Sequence, residues 1–414
     1  MRRTVRRTIG LTAVAVSLAA LATAAVPTLA ATTTSVGPWS QTNADAALSR
    51  SNRSESVLTV RTVAGVHYLR SLTANPPPGD PEAVVDCPGG KIVAPVLSGG
   101  AVYAVIGDWL TKADASTGRI LWRVKPDPSL RTFYDDVAVS RGFVLVASEG
   151  CLSQSQAGGT IQAFRADTGA RAWSTPMPLG GSLSQMVVSR GYVVTIGEDM
   201  ISRTVAVQRA ATGALVWGKS VDSGVCEALY GVRVLVAAER VVYESCRKSG
   251  PLLVGRWLTT GARSWTRPGN WIVEAANSDQ RTAGHHLYVL DDAGRVDDLI
   301  PQTGVTRFSL PGAAEASVVD AQRVYATCGS GADEVCAYDT ATGALTWRVA
   351  DPAEPLAAAG GVLYLADGTA LNAATGANIA PVWLGTASAL AVGNGHVAVV
   401  VEPRILDIYG LRGY

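Results

Sequence analysis

Acidic side chains recur at one kind of place along this chain: Asp136 in "FYDDVAV", Glu227 in "GVCEALYG", Glu274 in "WIVEAANS", Glu315 in "AAEASVV" and Glu354 in "PAEPLAA". Each stands at or near the start of a short apolar run. Brought into one ring, such carboxylates would favour a cation, Ca²⁺ or an amine, because hard cations take oxygen ligands. A pair of them would also suit the acid and base roles of a hydrolase or lyase. Strand starts are often solvated and acidic for no further reason, so the pattern is a weak signal. Six cysteines form a second set: Cys87, Cys151, Cys226, Cys246, Cys328 and Cys336. No Cys-x-x-Cys pair, haem signature or zinc spacing occurs among them, and an even count in an exported chain reads as three disulfides. Pairing by proximity gives Cys328–Cys336, Cys226–Cys246 and Cys87–Cys151, one of several connectivities.

Other candidates are weaker. The stretch "LDDAGRVDDLI" (290–300) gathers Asp291, Asp292, Asp297 and Asp298 in a loose echo of a calcium loop, yet it sits where a hairpin turn belongs. His285 and His286 are adjacent, so a strand would send them to opposite faces. With His67 and His396 they are the only histidines, and a His-rich metal site is not expected. No Gly-x-Ser-x-Gly elbow and no phosphate-cradling Gly-Lys-Ser/Thr loop is present. No catalytic residue is named.

The elements that hold these groups are announced by a repeat. "TGRILW" (117–122), "TGARAW" (168–173), "TGALVW" (212–217), "TGARSW" (260–265) and "TGALTW" (342–347) share one plan, with looser copies "TGVTRF" (303–308) and "TGANIA" (375–380). Successive glycines lie 51, 44, 48, 43, 39 and 33 residues apart, a period of propellers, solenoids or arrays. Between motifs run short β-branched and aromatic stretches broken by turn residues, as in "KIVAPVLSGGAVYAVIGDWLTKADAS", and helical periodicity is missing. Each unit supplies three strands before the motif and a fourth at its end, which is a propeller blade. Thr-Gly is the turn between third and fourth strands, where Gly takes positive φ without a Cβ penalty. Trp122, Trp173, Trp217, Trp265 and Trp347, with Phe308 as a substitute, then form inter-blade wedges. Three more strands follow the last motif, and "VHYLRSL" (66–72) is expected to complete their blade. The fold expected is all-β: an eight-bladed propeller of four-stranded antiparallel blades, the last closed by N- and C-terminal strands.

The first thirty residues carry four arginines, an Ala/Leu/Val-rich run and small residues before Ala30 and Ala31. They read as a secretory signal peptide (1–30), followed by an extended segment (31–60) and a single propeller domain (61–414). Loss of the signal changes the formal charge from +1 to −3. Nucleic acid and anionic membrane are therefore poor partners, and no other segment is long and apolar enough to span a bilayer. A secreted monomer is expected.

The "AxDxxTGxxxW" repeats and the lead-in "PWSQTNADAALSRSNRSESVLTVRTVAGVHYLRSL" resemble the pyrroloquinoline-quinone-like (quinoprotein) β-propeller family over nearly all of residues 37–414. That family includes dehydrogenases, outer-membrane assembly scaffolds and sensor domains, so the resemblance speaks for fold more than function. A dehydrogenase would imply quinone and Ca²⁺, an Asp base, a stacking Trp and, in one branch, a disulfide between adjacent cysteines. This chain has no Cys-Cys pair, lacks long inter-blade insertions, and offers no position matching the calcium ligands or the base. The assembly scaffolds carry a lipid-modified cysteine that this chain lacks. The sequence thus points to a non-enzymatic exported propeller that binds a protein, peptide or small ligand. Its binding surface would be the disulfide-stapled loop face and channel mouth. The quinone- and Ca²⁺-dependent dehydrogenase is the alternative.

Overall fold

Most strands here are short and apolar on both faces, so a sheet of them buries itself only between two neighbours. A closed ring meets that need for every sheet at once. The computed structural model describes residues 39–73, 94–106, 109–125, 132–150, 159–178, 182–198, 203–221, 233–247, 250–277, 285–351, 353–383, 385–402 and 405–412. Within the unit 34–414 these form eight sheets, at 96–124, 132–176, 182–220, 234–268, 271–309, 313–350, 355–381 and 389–410, numbered here blades 1 to 8. In blades 1 to 7 strands follow in chain order from the channel outward, and the innermost strands of neighbouring blades touch all the way round, blade 8 meeting blade 1.

Blade 8 is built from both ends of the propeller. Its outermost strand, His67–Thr73, runs antiparallel to Ile405–Gly410, with Tyr68 opposite Tyr409. The closure expected around residues 66–72 is therefore formed, and it ties the first part of the propeller to the last.

Apolar clusters straddle blade boundaries. Val105 and Leu110 of blade 1 pack with Val144 and Val146 of blade 2, and Val194 of blade 3 shares a cluster with Val242 of blade 4. The motif supplies the outer contacts. Its seven glycines have φ between +61° and +74°, and a Cβ on Gly169, Gly213, Gly261, Gly304 or Gly376 would fall within 3 Å of the preceding blade's Trp ring. Each ring also donates Nε1–H to a carbonyl of the next blade: Trp122 to Ala166 (3.2 Å), Trp173 to Ala210 (3.1 Å), Trp217 to Leu258 (2.8 Å), Trp265 to Pro301 (2.7 Å) and Trp347 to Ala373 (3.1 Å). Phe308 covers Gly343 without such a bond. Where blade 8 meets blade 1, Arg70 takes the Trp's place over Gly118 and donates to the carbonyls of Ser116 (2.8 Å) and Thr117.

Candidate functional site

The channel has a floor made of the chain's own N-terminal stretch. Residues 39–55, "WSQTNADAALSRSNRSE", run inside the ring where the first strands end, and bond to every blade in turn. Leu97 of blade 1 donates to Trp39 O (3.1 Å), and Val139 of blade 2 donates to Ser40 O (2.6 Å). The Gln41 amide donates to Val188 O (2.9 Å) and accepts from Val188 N (2.7 Å) in blade 3. Amides of Val236, Ala276 and Val319 in blades 4, 5 and 6 donate to the carbonyls of Ala46 (2.7 Å), Ala47 (2.8 Å) and Ser49 (2.9 Å). Ser51 and Asn52 then pair in parallel with Ala358 and Ala359 of blade 7, and Asn52 Nδ2 donates to Val392 O of blade 8 (2.8 Å).

The composition of this belt explains its path. Asp45 accepts from the amides of Ala47 (2.9 Å) and Ser49 (3.1 Å) and from the Ser49 hydroxyl (2.7 Å), an Asx-type knot that turns the chain within the channel. Asn43, Ala44, Leu48 and Arg50 all have positive φ. For Ala, Leu and Arg that costs on the order of 1 kcal/mol each, offset by the eight-blade bonding. Small side chains fit the narrow bore, and Trp39, Ala44, Ala46, Ala47, Leu48 and Ser49 are buried. The first strands end at the first-to-second-strand turns, so this floor lies on the face of the Thr-Gly turns. The chain then crosses that face, with Glu55 Oε2 accepting from Gly395 N (3.3 Å) and the Leu58 carbonyl lying against Gly360. The second-to-third-strand hairpins lie on the opposite face.

Three of the five acids come together at the wall. Glu274, Glu315 and Glu354, from blades 5, 6 and 7, act on one another electrostatically alongside Arg50 of the belt and Arg233 at the start of blade 4. Arg50 Nη1 meets Glu354 Oε1 at 3.0 Å, and Arg233 Nη1 lies 3.6 Å from Glu274 Oε2. Burial pushes the Glu274 carboxyl up to about 7; Arg233 opposes the rise, and Glu315 adds to it. Asp136 stands apart in blade 2. Its Oδ2 accepts from Met186 N of blade 3 (2.8 Å), while burial raises it to about 7 against that bond. Two neighbours act in the same way: Gln185 accepts from Val234 N (2.7 Å) across blades 3 and 4, and Glu244 from Val273 N (2.7 Å) across blades 4 and 5. Burial raises Glu244 to about 8. Glu227 lies outside the described residues.

The remaining described candidates bond within the blades, the disulfides and Asp291 on the loop face and His286 at the Thr-Gly end of blade 5. Cys328 and Cys336 are joined, with Cα atoms 5.9 Å apart, across the second-to-third-strand hairpin of blade 6. Cys246 at the end of the second strand of blade 4 is also disulfide-bonded; Cys87, Cys151 and Cys226 lie outside the described residues. Asp291 accepts from the amides of Ala293 (3.0 Å) and Arg295 (2.8 Å), which is hairpin-turn chemistry. His286 Nδ1 lies 2.7 Å from Asp298 Oδ2, both buried, with Arg307 3.6 Å from the same carboxylate. The trio pins adjacent strands of blade 5.

A calcium and quinone set was tested against these side chains. Among the described residues, one acid-and-thiol group converges within 4.8 Å, namely Cys328, Glu334 and Cys336, and its two sulfurs are spent in a disulfide. Glu274, Glu315 and Glu354 do not converge so closely. The five Trp and Phe308 of the motif lie between blades, not in the channel. These side chains do not fit a calcium–quinone site. The residues that sequence reasoning missed are the belt with its Arg50, Arg233 and Glu244. The signal was present in "SQTNADAALSRSN", a run of turn-forming and small residues too polar for a strand and too broken for a helix.

Comparison with known proteins gives three results. The family described as outer membrane protein assembly factor BamB matches residues 39–175, 157–317 and 307–401. No curated protein matches the sequence. Among solved structures, the quinohemoprotein alcohol dehydrogenase of Pseudomonas putida HK5 superposes with a TM-score of 0.62 at 15% identity, covering 91% of this chain and 81% of that one. The quinohemoprotein alcohol dehydrogenase of Comamonas testosteroni gives 0.60 at 16%, with the same coverages. BamB of Moraxella catarrhalis gives 0.54 at 16%, covering 84% of this chain and 98% of that one. Identities this low speak for a shared fold alone.

Proposed function

The chain belongs to this pyrroloquinoline-quinone-like propeller family described as outer membrane protein assembly factor BamB, and we propose that it is an exported, non-enzymatic binding scaffold. It takes a protein, peptide or small ligand at the channel mouth and the disulfide-stapled loop face. One observation carries this reading: the belt occupies the Thr-Gly end of the channel, bonding to all eight blades, so that a ligand would come to the charged wall from the face of the tied hairpins. A channel closed at one end, with the blade 6 hairpin tied by Cys328–Cys336 at the other, suits binding, since less ordering is left to be done when a ligand arrives. No helix among the described residues is long and apolar enough to cross a membrane, which fits an exported protein working away from the bilayer.

Two experiments test it. Photo-crosslinkers placed at Ala332 on the loop face and at Thr342 on the Thr-Gly face should trap a partner from the native extracellular fraction at Ala332 alone. Trapping at Thr342 alone would move the binding surface to the other face. Titration of the mature oxidised protein with pyrroloquinoline quinone and Ca²⁺ should leave its melting temperature and the quinone absorbance unchanged. A Ca²⁺-dependent shift in both would replace the scaffold by the quinone-dependent dehydrogenase.

A further inference from the structure

We propose that the channel wall at blades 5 and 6 is a receptor site for one organic cation, a guanidinium or primary ammonium group. This deepens the scaffold reading and rests on it for the site's accessibility from the mouth. The group arrives either on a small molecule or at the tip of a partner's side chain.

The observations begin with β-bulges in two blades. In the first strand of blade 5 the register slips at Glu274, and in blade 6 it slips at Ala314 and again at Ser317. Val273 faces the cluster shared with blade 4, and Ala275 faces the one shared with blade 6. Glu274, extra between them, belongs to neither boundary cluster, since a bulge re-aims the side chain it adds; on the first strand this leaves the channel side for it. Ser317 stands in the same relation to Ala316 and Val318. Both lie two residues before an amide bonded to the belt, Ala276 and Val319 respectively, so they occupy one level just above the floor.

Both are also polar atoms without a hydrogen bond. Glu274 is 6% exposed and Ser317 4% exposed, yet Glu274 Oε2 and Ser317 Oγ have no hydrogen-bond partner. A buried acceptor or hydroxyl left so costs roughly 1–3 kcal/mol. By contrast, Asp136 and Gln185 of first strands and Glu244 of the second strand of blade 4 each bond to an amide of the next blade. Arg233, at 3.6 Å, lends Glu274 charge but no hydrogen bond.

Charge points the same way. Three glutamates meet two arginines: Glu354 is paired with Arg50, Glu274 lies beside Arg233, and Glu315 has no ion pair among the described residues. With Glu244 and Arg203 counted beside them, four glutamates meet three arginines, and one positive charge balances the ionised group. The carboxylates are too far apart for a bare metal ion, whose oxygens must close to about 2.3–2.6 Å. A guanidinium, with five donors in a planar fork, or an ammonium with three, reaches several separated acceptors at once. Glu274 Oε2, Ser317 Oγ and the Glu315 carboxylate are those acceptors.

A cation there favours the ionised form of Glu274, whose carboxyl burial pushes up to about 7, with Glu244, Glu315 and Glu354 on one side of the balance and Arg233 and Arg50 on the other. Binding therefore tightens as pH rises from 6 to 8, by up to about ten-fold.

The test is calorimetric titration of the full mature protein with agmatine, and separately with a short neutral peptide amide ending in arginine, at pH 6 and pH 8. One-to-one binding of either probe at pH 8, weaker at pH 6, is expected. Glu315→Gln and Ser317→Ala should each weaken it about ten-fold, while Glu239→Gln on the Thr-Gly face leaves it unchanged. Agmatine binding alone assigns the site to a small molecule, and peptide binding alone to a partner's side chain. Glu274→Gln removes a buried carboxylate, so it should melt no lower than the parent while losing affinity, which separates lost binding from lost fold. Failure of both probes to bind the folded protein, or affinity indifferent to Glu274 and Glu315, overturns the site. Loop-face crosslinking at Ala332 is read independently, so the scaffold survives a failure here and can fail without it.

Discussion

Alanine at Gly360 should destabilise this protein far more than alanine at Gly99, although both open a Gly-Gly turn between first and second strands. The backbone angles match: φ is +59° and +74° at Gly99 and Gly100, and +58° and +80° at Gly360 and Gly361. Such two-residue hairpins with both φ positive follow the right-handed twist of the strands they join. The first turn position does not demand glycine by itself, because Ala238 holds it in blade 4 at φ +46°, and Arg141, Arg190 and Asn394 hold it elsewhere. Gly99→Ala therefore meets open space and should cost about 1 kcal/mol, the left-handed penalty of an L-residue. At Gly360 a Cβ would overlap the Leu58 carbonyl oxygen and sit 3.0 Å from its carbonyl carbon. Backbone cannot swing aside as a side chain does, so the turn or the crossing segment must shift, adding about 1–3 kcal/mol. The total expected at Gly360 is about 2–4 kcal/mol. Urea unfolding of the two variants beside the parent, followed by tryptophan fluorescence, measures the difference. Equal losses within about 0.5 kcal/mol would mean that residues 55–60 do not lie on the blade 7 turn, and the path by which the belt leaves the channel would have to be redrawn.

Three further outcomes are expected. Trp217→Phe keeps the ring over Gly261 but loses the 2.8 Å bond to Leu258 O; it should cost about 1 kcal/mol, against about 3–5 kcal/mol for Trp217→Ala, both read by urea unfolding. Asp136, Glu274 and Glu244 bind protons more tightly folded than unfolded. Their contribution is whole below about pH 4 and is lost as pH rises through about 7 to 8, so unfolding free energy should fall over that window by on the order of a few kcal/mol. Asp136→Asn, which retains an acceptor for Met186 N, should flatten the slope. Replacing Cys328 and Cys336 together by serine opens a short loop and should cost about 2–3 kcal/mol, with protease cutting appearing within 329–335.

What was legible from residues alone was everything that repeats. Thr-Gly requires a turn wherever it stands, the following aromatic must find a neighbour, and strands apolar on both faces must lie between other strands. Those are local demands, written into each blade separately, and they lead to a ring of eight closed by His67–Thr73. Position along a strand also singled out Glu274, Glu315 and Glu354 as acids of a mouth; Glu274 lies instead two residues before the amide of Ala276 that bonds to the floor. Their fates were not legible. Asp136 and Glu274 occupy similar surroundings in sequence, and the register slips beside both, at Asp135 and at Glu274, yet Asp136 bonds across to Met186 while Glu274 Oε2 makes no hydrogen bond. A bulge depends on how two strands share their hydrogen bonds, and no residue type announces it. The belt was hidden for a related reason. Its bonds to eight blades join residues separated by up to 340 positions, and its small polar side chains reveal only that it turns often. Which surface it turns against exists only once the ring has closed around it.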